Sequence, residues 1–426
     1  MSHVSPARAV AVEPIVERHV EEAALLCNQR LYLVDAPHPK LHQLRRLDDR
    51  LAAHLDGLLV AREAGNRLAD IALANAGRGE VFTAVSLALD NHDSKRLQRL
   101  FALGESLPEV QDAFALAVGW VSAQSLRGIS RDMLASGNSF QRRIALAACA
   151  SHMVDPGAAL SDAVQADDAA LRAQAFRVAG DCARVDLAPA CLDALDDADL
   201  HCRFWAARSA LMLGDRSRAP TEHLYQLASL EGPLRASALS VVLKVITAVQ
   251  ATPLLRKLLD EPKGLRDAIR GMAAVGDPQV VPWLISQMED PLLSRLAGEA
   301  FSAITGVDLA WLDLDRKPPE AVETGPDDGT ADHDAAMDED AGLAWPDRVK
   351  VQAWWNANGA RFPSGVRSWM GAQASPQHLR KVLKEGFQRQ RADAALSLCL
   401  AQPGTRLFPV AAPAWRQQRW LDAMPA

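Results

Sequence analysis

The sequence predicts an all-α protein built from repeated helical hairpins, on the evidence of a fixed period, turn signals and matching small residues. From residue 138 onward an acid or amide is followed four or five places later by an arginine, then by small and apolar residues at helical spacing. Successive arginines are 30, 31, 32, 31 and 29 residues apart. A period of about thirty residues indicates stacked units. The recurring arginines are Arg142, Arg172, Arg203, Arg235, Arg266 and Arg295.

Turn signals divide each unit into two helices. The first segment ends near a glycine, as at Gly214 and Gly276, and the second begins after an aspartate, as at Asp277-Pro278. Asp as N-cap and Pro at the first helical position favour a helix start. A lone hairpin cannot bury its apolar stripe, whereas stacking buries it against both neighbours. Close packing of successive first helices needs small residues, which stand at Ala145, Ala175, Ala206 and Ala238.

Composition places the chain among folded proteins without a membrane span. It has 426 residues, a formal net charge of -7 and 49% hydrophobic residues, which excludes a mostly disordered chain. The best apolar run, 113–121, is about half of a membrane span. Charges interrupt the N-terminus, so no secretory signal is predicted and a cytoplasmic location is expected. Six scattered cysteines suit reduced thiols that fill a core.

Charge is distributed unevenly and suggests four segments. Residues 313–340 carry eleven acids and two bases, whereas twelve bases and four acids follow from residue 346. The sequence therefore predicts an N-terminal helical region (1–77), a repeat array (78–312), an acidic disordered linker (313–344) and a basic, Trp-rich helical C-terminal region (345–426). The linker is expected to lie outside any packed core, and one hypothesis is that it screens the basic region until a partner competes.

The order Leu-Arg, Ala, Ala-Leu, Gly-Asp-Pro within the units resembles the short HEAT-like repeat, close to its phycobilisome-lyase subclass. This resemblance implies an α-solenoid of about eight HEAT-like hairpins, with N-terminal helices and a helical C-terminal cap. The flanking segments IVERHVEEAALLCNQR, LRRLDDRLAAHLDGLLVAREAG and RFPSGVRSWMG, together with the repeats, resemble an uncharacterised bacterial HEAT-repeat family. Genes of that family tend to sit in type VI secretion clusters. The resemblance implies an accessory role in secretion and supplies no catalytic residues.

No pattern in the chain predicts catalysis, a cofactor or a metal. The sequence contains no G-x-S-x-G, P-loop or G-x-G-x-x-G motif. Ser151 and His152 are adjacent, so on a helix their side chains diverge. A metal site built from His38, His42 and His54 lacks a recognised ligand spacing. We therefore predict a protein that is not an enzyme and has no catalytic, cofactor-binding or metal site.

Two surfaces are candidates for partner binding. The second helices of the repeats are expected to line a concave side, whose mixed charge suits a protein better than a phosphate backbone. The second candidate is the C-terminal region, where aromatic and arginine side chains are typical of interface hot spots. The alternative for these aromatic residues is the core of a small helical cap. The predicted contact residues are Arg127, Arg131, Gln226, Arg256, Lys257, Trp354, Trp355, Arg389 and Arg391.

The resulting prediction is a non-enzymatic scaffold or adaptor for a protein partner. The family resemblance suggests a type VI secretion effector, spike or accessory protein as that partner. The alternative is a HEAT-like nucleic-acid-binding protein, which the acidic body disfavours. A lyase-like enzyme is the third possibility, and it lacks any recognisable active-site constellation. No membrane partner is predicted.

Overall fold

The computed structural model describes residues 11–319 and 338–424, and its fold is all-α. These residues form 22 α-helices and one antiparallel sheet of two short strands. The predicted all-α class is confirmed. Among the described helices none combines the length and the apolar character that crossing a bilayer would need.

Contacts divide the chain into two compact units, and the boundary falls inside one helix, α10 (Ala169–Asp181). Unit 1 contains the described residues of 11–35, 39–178 and 409–424. Its other helices are α1 (Glu13–Leu33), α2 (Leu41–Val60), α3 (Glu63–Ala72), α4 (Arg78–Asp90), α5 (Ser94–Ser106), α6 (Gln111–Trp120), α7 (Ile129–Leu134), α8 (Ser139–Ser151), α9 (Ala158–Ala163) and α22 (Ala414–Asp422).

Unit 2 contains residues 36–38 and the described part of 179–408. Its strands are β1 (Asp315–Arg316) and β2 (Trp345–Pro346). Its helices beyond α10 are α11 (Ala188–Asp193), α12 (Leu200–Met212), α13 (Arg218–Ser229), α14 (Arg235–Val245), α15 (Ala248–Asp260), α16 (Leu265–Val275), α17 (Val281–Gln287), α18 (Ser294–Thr305), α19 (Arg348–Asn358), α20 (Pro376–Glu385) and α21 (Gln388–Ala401).

In three of the repeat units, the acid or amide that opens the unit acts as a helix N-cap. The side chains of Asn138, Asp168 and Asp199 accept hydrogen bonds from backbone N–H groups three residues later, at 2.7–3.0 Å. These bonds satisfy N–H groups that the first helical turn leaves unpaired. Two of the recurring arginines donate to carbonyls of the preceding loop: Arg172 contacts those of Ala166 and Asp167 at 2.8 Å, and Arg235 contacts that of Leu230 at 2.8 Å. The repeat pattern therefore encodes helix starts and the loops beside them.

Each unit has its own apolar core. In unit 1, α1 packs on α2 and α4, and α4 packs on α6. Gly79 of α4 is so close to α1 that an added Cβ would overlap the carbonyl oxygen of Ala24. In unit 2, the first helices α12, α14, α16 and α18 alternate with α13, α15 and α17. The predicted small residues Ala206 and Ala238 are fully buried there, which allows neighbouring helices to approach closely.

The segment 313–344 was predicted to be a disordered linker, but both of its described ends are ordered in the structure. Residues 320–337 lie outside the described part. Strand β1 pairs with β2 in antiparallel register, with Asp315 opposite Pro346. At the other end Asp340 is buried in unit 2. Composition suggested disorder because the acids lack apolar neighbours in sequence. In the fold, however, those acids meet arginines that are distant in sequence.

The predicted C-terminal region 345–426 is also divided differently. Residues 345–408 belong to unit 2, and the described residues from 409 onward belong to unit 1. Both parts bond to the C-terminal ends of helices in their own unit, as described below. The last carbonyls of a helix need partners from outside it, and each part supplies such partners within its own unit.

Candidate protein-interaction site

The five contact residues predicted for the second helices are exposed and belong to different units, although Arg127 lies in the turn before α7. Arg127 and Arg131 lie in unit 1. Gln226 lies on α13, whereas Arg256 and Lys257 lie on the neighbouring helix α15 of unit 2. Lys257 donates from Nζ to a carbonyl of α13 at 2.5 Å. Within unit 2, the last three residues therefore stand on adjacent helices.

The predicted hot-spot tryptophans Trp354 and Trp355 instead take part in core packing. Both are half-buried on α19. The ring centroid of Trp354 lies 5.6 Å from that of Phe301, and Trp355 stacks on Phe362 at 5.7 Å. Aromatic pairs in this distance range stabilise a core. The structure thus favours the cap interpretation for these two side chains over the hot-spot interpretation.

The prediction that Arg391 contacts a partner is wrong, because its side chain is 0% exposed. Its Nε donates to the carbonyl of Leu383 at 2.9 Å, and its Nη1 donates to Gln388 Oε1 at 2.7 Å. Burial lowers the pKa of Arg391 to about 10. The guanidinium completes the hydrogen bonds at the end of α20, a task that its sequence position does not reveal.

A second arginine of the C-terminal region caps helices in unit 2. Arg367 donates to three carbonyls at the end of α14 at 2.5–2.9 Å. The next residue, Ser368, donates its N–H to the Gly276 carbonyl after α16 at 2.7 Å, and the Met370 N–H donates to the Ala303 carbonyl in α18 at 2.6 Å. One short segment therefore satisfies the ends of three successive first helices.

Unit 1 has an equivalent arrangement at the end of α6. Arg416 of α22 donates to the carbonyls of Gly119, Trp120 and Val121 at 2.7–3.0 Å. Its pKa is lowered to about 10, chiefly by burial. Arg367, Arg391 and Arg416 are called the capping arginines below, and their bonds to helix ends make them structural residues.

A different group of arginines faces carboxylates in unit 2. Helix α16 carries Arg266 and Arg270 one turn apart, and α18 carries Arg295. Helices α16 and α18 are in contact, so equivalent repeat positions bring Arg266 and Arg295 to the same side. Arg389 of α21 joins them. We call these four residues the arginine cluster, and only Arg389 was among the predicted contact residues.

The arginine cluster holds an acidic tripeptide, residues 338–340 of the same chain. Each of its three carboxylates pairs with a different guanidinium. The ion pairs are Asp340 with Arg266 at 2.7 Å, Glu339 with Arg270 at 2.5 Å, and Asp338 with Arg295 at 2.7 Å. One acidic residue is thus matched to each of three arginines, and the pairs of Arg266 and Arg270 join residues 74 and 69 positions apart in sequence.

The main chain of the tripeptide is recognised as well. The Glu339 carbonyl accepts from Arg389 at 2.8 Å, and the Asp340 carbonyl accepts from Arg295 at 3.1 Å. The Asp338 carboxylate also accepts from the Asp340 N–H at 3.0 Å, which closes a turn. The guanidinium of Arg295 lies over the Trp345 ring, 4.8 Å from its centroid. Charge, hydrogen bonds and ring contact therefore fix this segment together.

Neighbouring guanidinium groups and burial shift the pKa values of the carboxylates at this site. The hydrogen bond and charge of Arg270 hold the pKa of Glu339 below its ordinary value. Burial opposes ionisation of Asp338, yet Arg295 and the Asp340 N–H outweigh it and lower its pKa. Arg389 also pairs with Glu299 of α18 at 3.1 Å, and burial raises the pKa of Glu299. The carboxylates of the tripeptide and of Glu299 together balance the four guanidinium groups.

The structure brings together two histidines that are distant in sequence. His19 of α1 and His54 of α2 lie with their Nδ1 atoms 3.0 Å apart, beside a cavity of about 630 Å³. Burial and His19 lower the pKa of His54. Across residues 11–319 and 338–424, no group of three or more His, Cys, Asp or Glu side chains is placed to hold a metal ion.

Comparisons with known proteins do not assign this chain to a family. No family model matches the chain, and no curated protein matches it. Among solved structures, an engineered protein from the Northeast Structural Genomics Consortium is 13% identical, covers 91% of this chain and 99% of its own, and has a TM-score of 0.23. A TM-score this low carries no argument about fold or function.

Proposed function

We propose that this protein is a non-enzymatic adaptor that binds a protein partner through the arginine cluster of unit 2. The observation that carries the proposal is the bound acidic tripeptide, whose side chains and main chain are both held. A surface that binds one peptide segment in this way has the donors needed to bind another. The site therefore suits recognition of a polypeptide.

The finer fold proposal is an α-solenoid of about eight HEAT-like hairpins. The regular arginine spacing, the repeated N-caps and the buried alanines support it. Repeat arrays present extended surfaces made of equivalent positions from successive units, and Arg266 and Arg295 are such positions. On the family resemblance of the sequence, we further propose that the partner is an effector, spike or accessory protein of type VI secretion.

Affinity purification with the tagged full-length chain tests the adaptor function. The baits are the natural chain, Arg270→Glu and Arg218→Glu. The last is a control that reverses the charge of an exposed arginine elsewhere in unit 2. We expect a reproducible protein partner with the natural chain and with Arg218→Glu, and its loss with Arg270→Glu. Recovery of no partner by any bait, or equal recovery by all three, would contradict the proposal. A partner without any link to secretion would contradict the type VI role alone.

Nucleic-acid binding is the second candidate, because clustered arginines also bind phosphates. Outside the acidic and basic segments the remaining chain carries a net charge of -6, which opposes a continuous basic groove. Titration of a labelled DNA duplex with the full-length chain at moderate salt separates the two functions. Tight binding that Arg270→Glu abolishes would replace the adaptor proposal.

A further inference from the structure

We infer that the acidic tripeptide 338–340 is an internal competitor, and that the natural ligand of the arginine cluster is an acidic segment of a partner protein. This inference rests on the proposed adaptor function and deepens it. In the structure described here the chain occupies its own binding site. A partner must therefore displace Asp338, Glu339 and Asp340 before it binds.

The first argument is that most of these contacts are exposed to water. The Arg270 and Glu339 side chains are 35% and 64% exposed, and the Asp338 side chain is 53% exposed. Ion pairs in water contribute little net stability, because both partners are well solvated when apart. Only the Asp340 carboxylate is nearly buried. The tripeptide is thus held by contacts that a second acidic segment can exchange.

The second argument is charge. If the tripeptide leaves, four guanidinium groups face one carboxylate, that of Glu299. Like charges at this spacing repel one another and attract an anion. The ligand that replaces the tripeptide must therefore be acidic.

The third argument concerns which anion fits. The cluster binds two main-chain carbonyls, those of Glu339 and Asp340, in addition to three carboxylates. Carbonyl acceptors at this spacing belong to a polypeptide and are absent from a nucleic-acid backbone. Consecutive Asp or Glu residues in a turn therefore match the site better than a row of phosphates.

The covalent connection of the tripeptide to its site sets the strength of the competition. A tethered ligand acts at an effective concentration of about 1 mM when its tether is short. A free peptide binds only to the fraction of molecules in which the site is open, so its apparent affinity falls by that fraction. Removing the three carboxylates should consequently raise the affinity for a free acidic peptide by about tenfold or more.

The test uses a fluorescein-labelled peptide with the sequence of residues 338–344, DEDAGLA, and the full-length chain. Binding is followed by fluorescence anisotropy for the natural chain, for D338S/E339S/D340S and for the isosteric D338N/E339Q/D340N. We expect weak binding to the natural chain and at least about tenfold tighter binding to the serine variant. The neutral peptide NQNAGLA should not bind tightly to any of the three chains. Equal binding of DEDAGLA to all three chains, or no binding to the serine variant at low salt, would overturn the inference.

Two further measurements keep the result interpretable. Adding Arg270→Glu to the serine variant should abolish the gain, and unchanged binding would show that the peptide binds elsewhere. Thermal unfolding of both triple variants checks that the chain remains folded. If the serine variant unfolds, the isosteric variant decides the question.

A labelled single-stranded oligonucleotide serves as the competing probe. Preferential binding of the oligonucleotide to the serine variant would contradict an acidic protein segment as the ligand. This peptide experiment is independent of partner capture. Peptide exchange without a captured partner would count against the adaptor function alone, whereas a captured partner with no effect of the triple substitution would count against internal competition alone.

Discussion

Arginine has two different roles in this protein, one in the capping arginines and the other in the arginine cluster. Arg391 and Arg416 lie inside their units and donate to carbonyls at helix ends, whereas Arg270 lies at the surface and donates to a carboxylate. If a capping arginine is displaced, the helix-end carbonyls that it contacts lose their hydrogen-bond donor. Carboxylates at the surface can exchange with water or with another acid. Exposure of the acceptor therefore distinguishes the Arg270 and Arg295 ion pairs from the contacts of the capping arginines, whereas the Asp340 carboxylate that pairs with Arg266 is buried.

The largest effect should follow from breaking a buried ion pair. The Asp48 carboxylate is fully buried in unit 1, accepts from Arg30 Nε at 2.7 Å, and accepts from the Ala414 N–H at 2.7 Å. Asp48→Ala leaves the buried Arg30 without its counter-charge and should lower the free energy of unfolding by about 4 kcal/mol. Urea denaturation measures this change.

The neighbouring residue supplies the matched control for that change. Asp49 pairs with Arg45 on the exposed side of α2, and Asp49→Ala should cost about 0.5 kcal/mol or less. Similar costs for the two substitutions would remove burial as the basis of the comparison.

Removing a capping arginine should have the next largest effect. Arg416→Met keeps much of the side-chain volume but leaves three carbonyls at the end of α6 without their donor. We expect a loss of about 3 kcal/mol in the free energy of unfolding. Arg419→Met on the exposed side of the same helix should change it by less than about 0.5 kcal/mol. A stable Arg416→Met chain would show that water replaces the guanidinium at no cost.

The environment of Arg416 also predicts a pH dependence. Burial, together with the Arg416 charge, lowers the pKa of His152 from 6.5 to about 4. His152 Nε2 lies 2.9 Å from the Val118 carbonyl, and because a carbonyl only accepts, Nε2 carries the proton in the neutral ring. The unfolded chain binds a further proton below pH 6.5, and the folded chain does so only near pH 4. The free energy of unfolding should therefore fall as the pH is lowered from about 6.5 to about 4, by about 3 kcal/mol in total.

Comparing the natural chain with His152→Gln isolates this contribution. Glutamine can still donate to the Val118 carbonyl and does not titrate. Urea denaturation at about pH 7 and about pH 5 should show a smaller loss of stability in the variant than in the natural chain. Equal losses would assign the pH dependence to other groups.

The smallest stability effect is expected in the arginine cluster. Glu339→Gln removes one surface ion pair and should change the free energy of unfolding by about 0.5 kcal/mol or less at neutral pH. Because the folded-state pKa of Glu339 is lowered, its contribution is present above the ordinary value of 4.5 and is lost as the pH falls through the lowered value. A loss of several kcal/mol, measured by urea denaturation, would make the tripeptide a structural element like Arg416.

Several features could be predicted from residues close together in sequence. The arginine period and the alanine positions indicated the all-α class, and Ala206 and Ala238 are indeed buried. Asp168 and Asp199 cap the helices that follow them, which their spacing to the next arginine does not by itself reveal. The predicted linker and C-terminal region depended on composition, which is an average over many residues. Asp340 and Trp345 are buried although the composition of their segments did not predict it, because their arginine partners lie in the distant repeats.

The sequence by itself determined the helices, because capping, apolar spacing and small residues act over one or two helical turns. Only the tertiary structure decided which arginine is buried and which one holds an acid. Arg389 and Arg391 are two residues apart on α21, yet the first reaches the half-buried Glu299 carboxylate and the Glu339 carbonyl, and the second is enclosed. The cause is that helical geometry turns nearby residues toward different neighbours, and those neighbours come from distant parts of the chain.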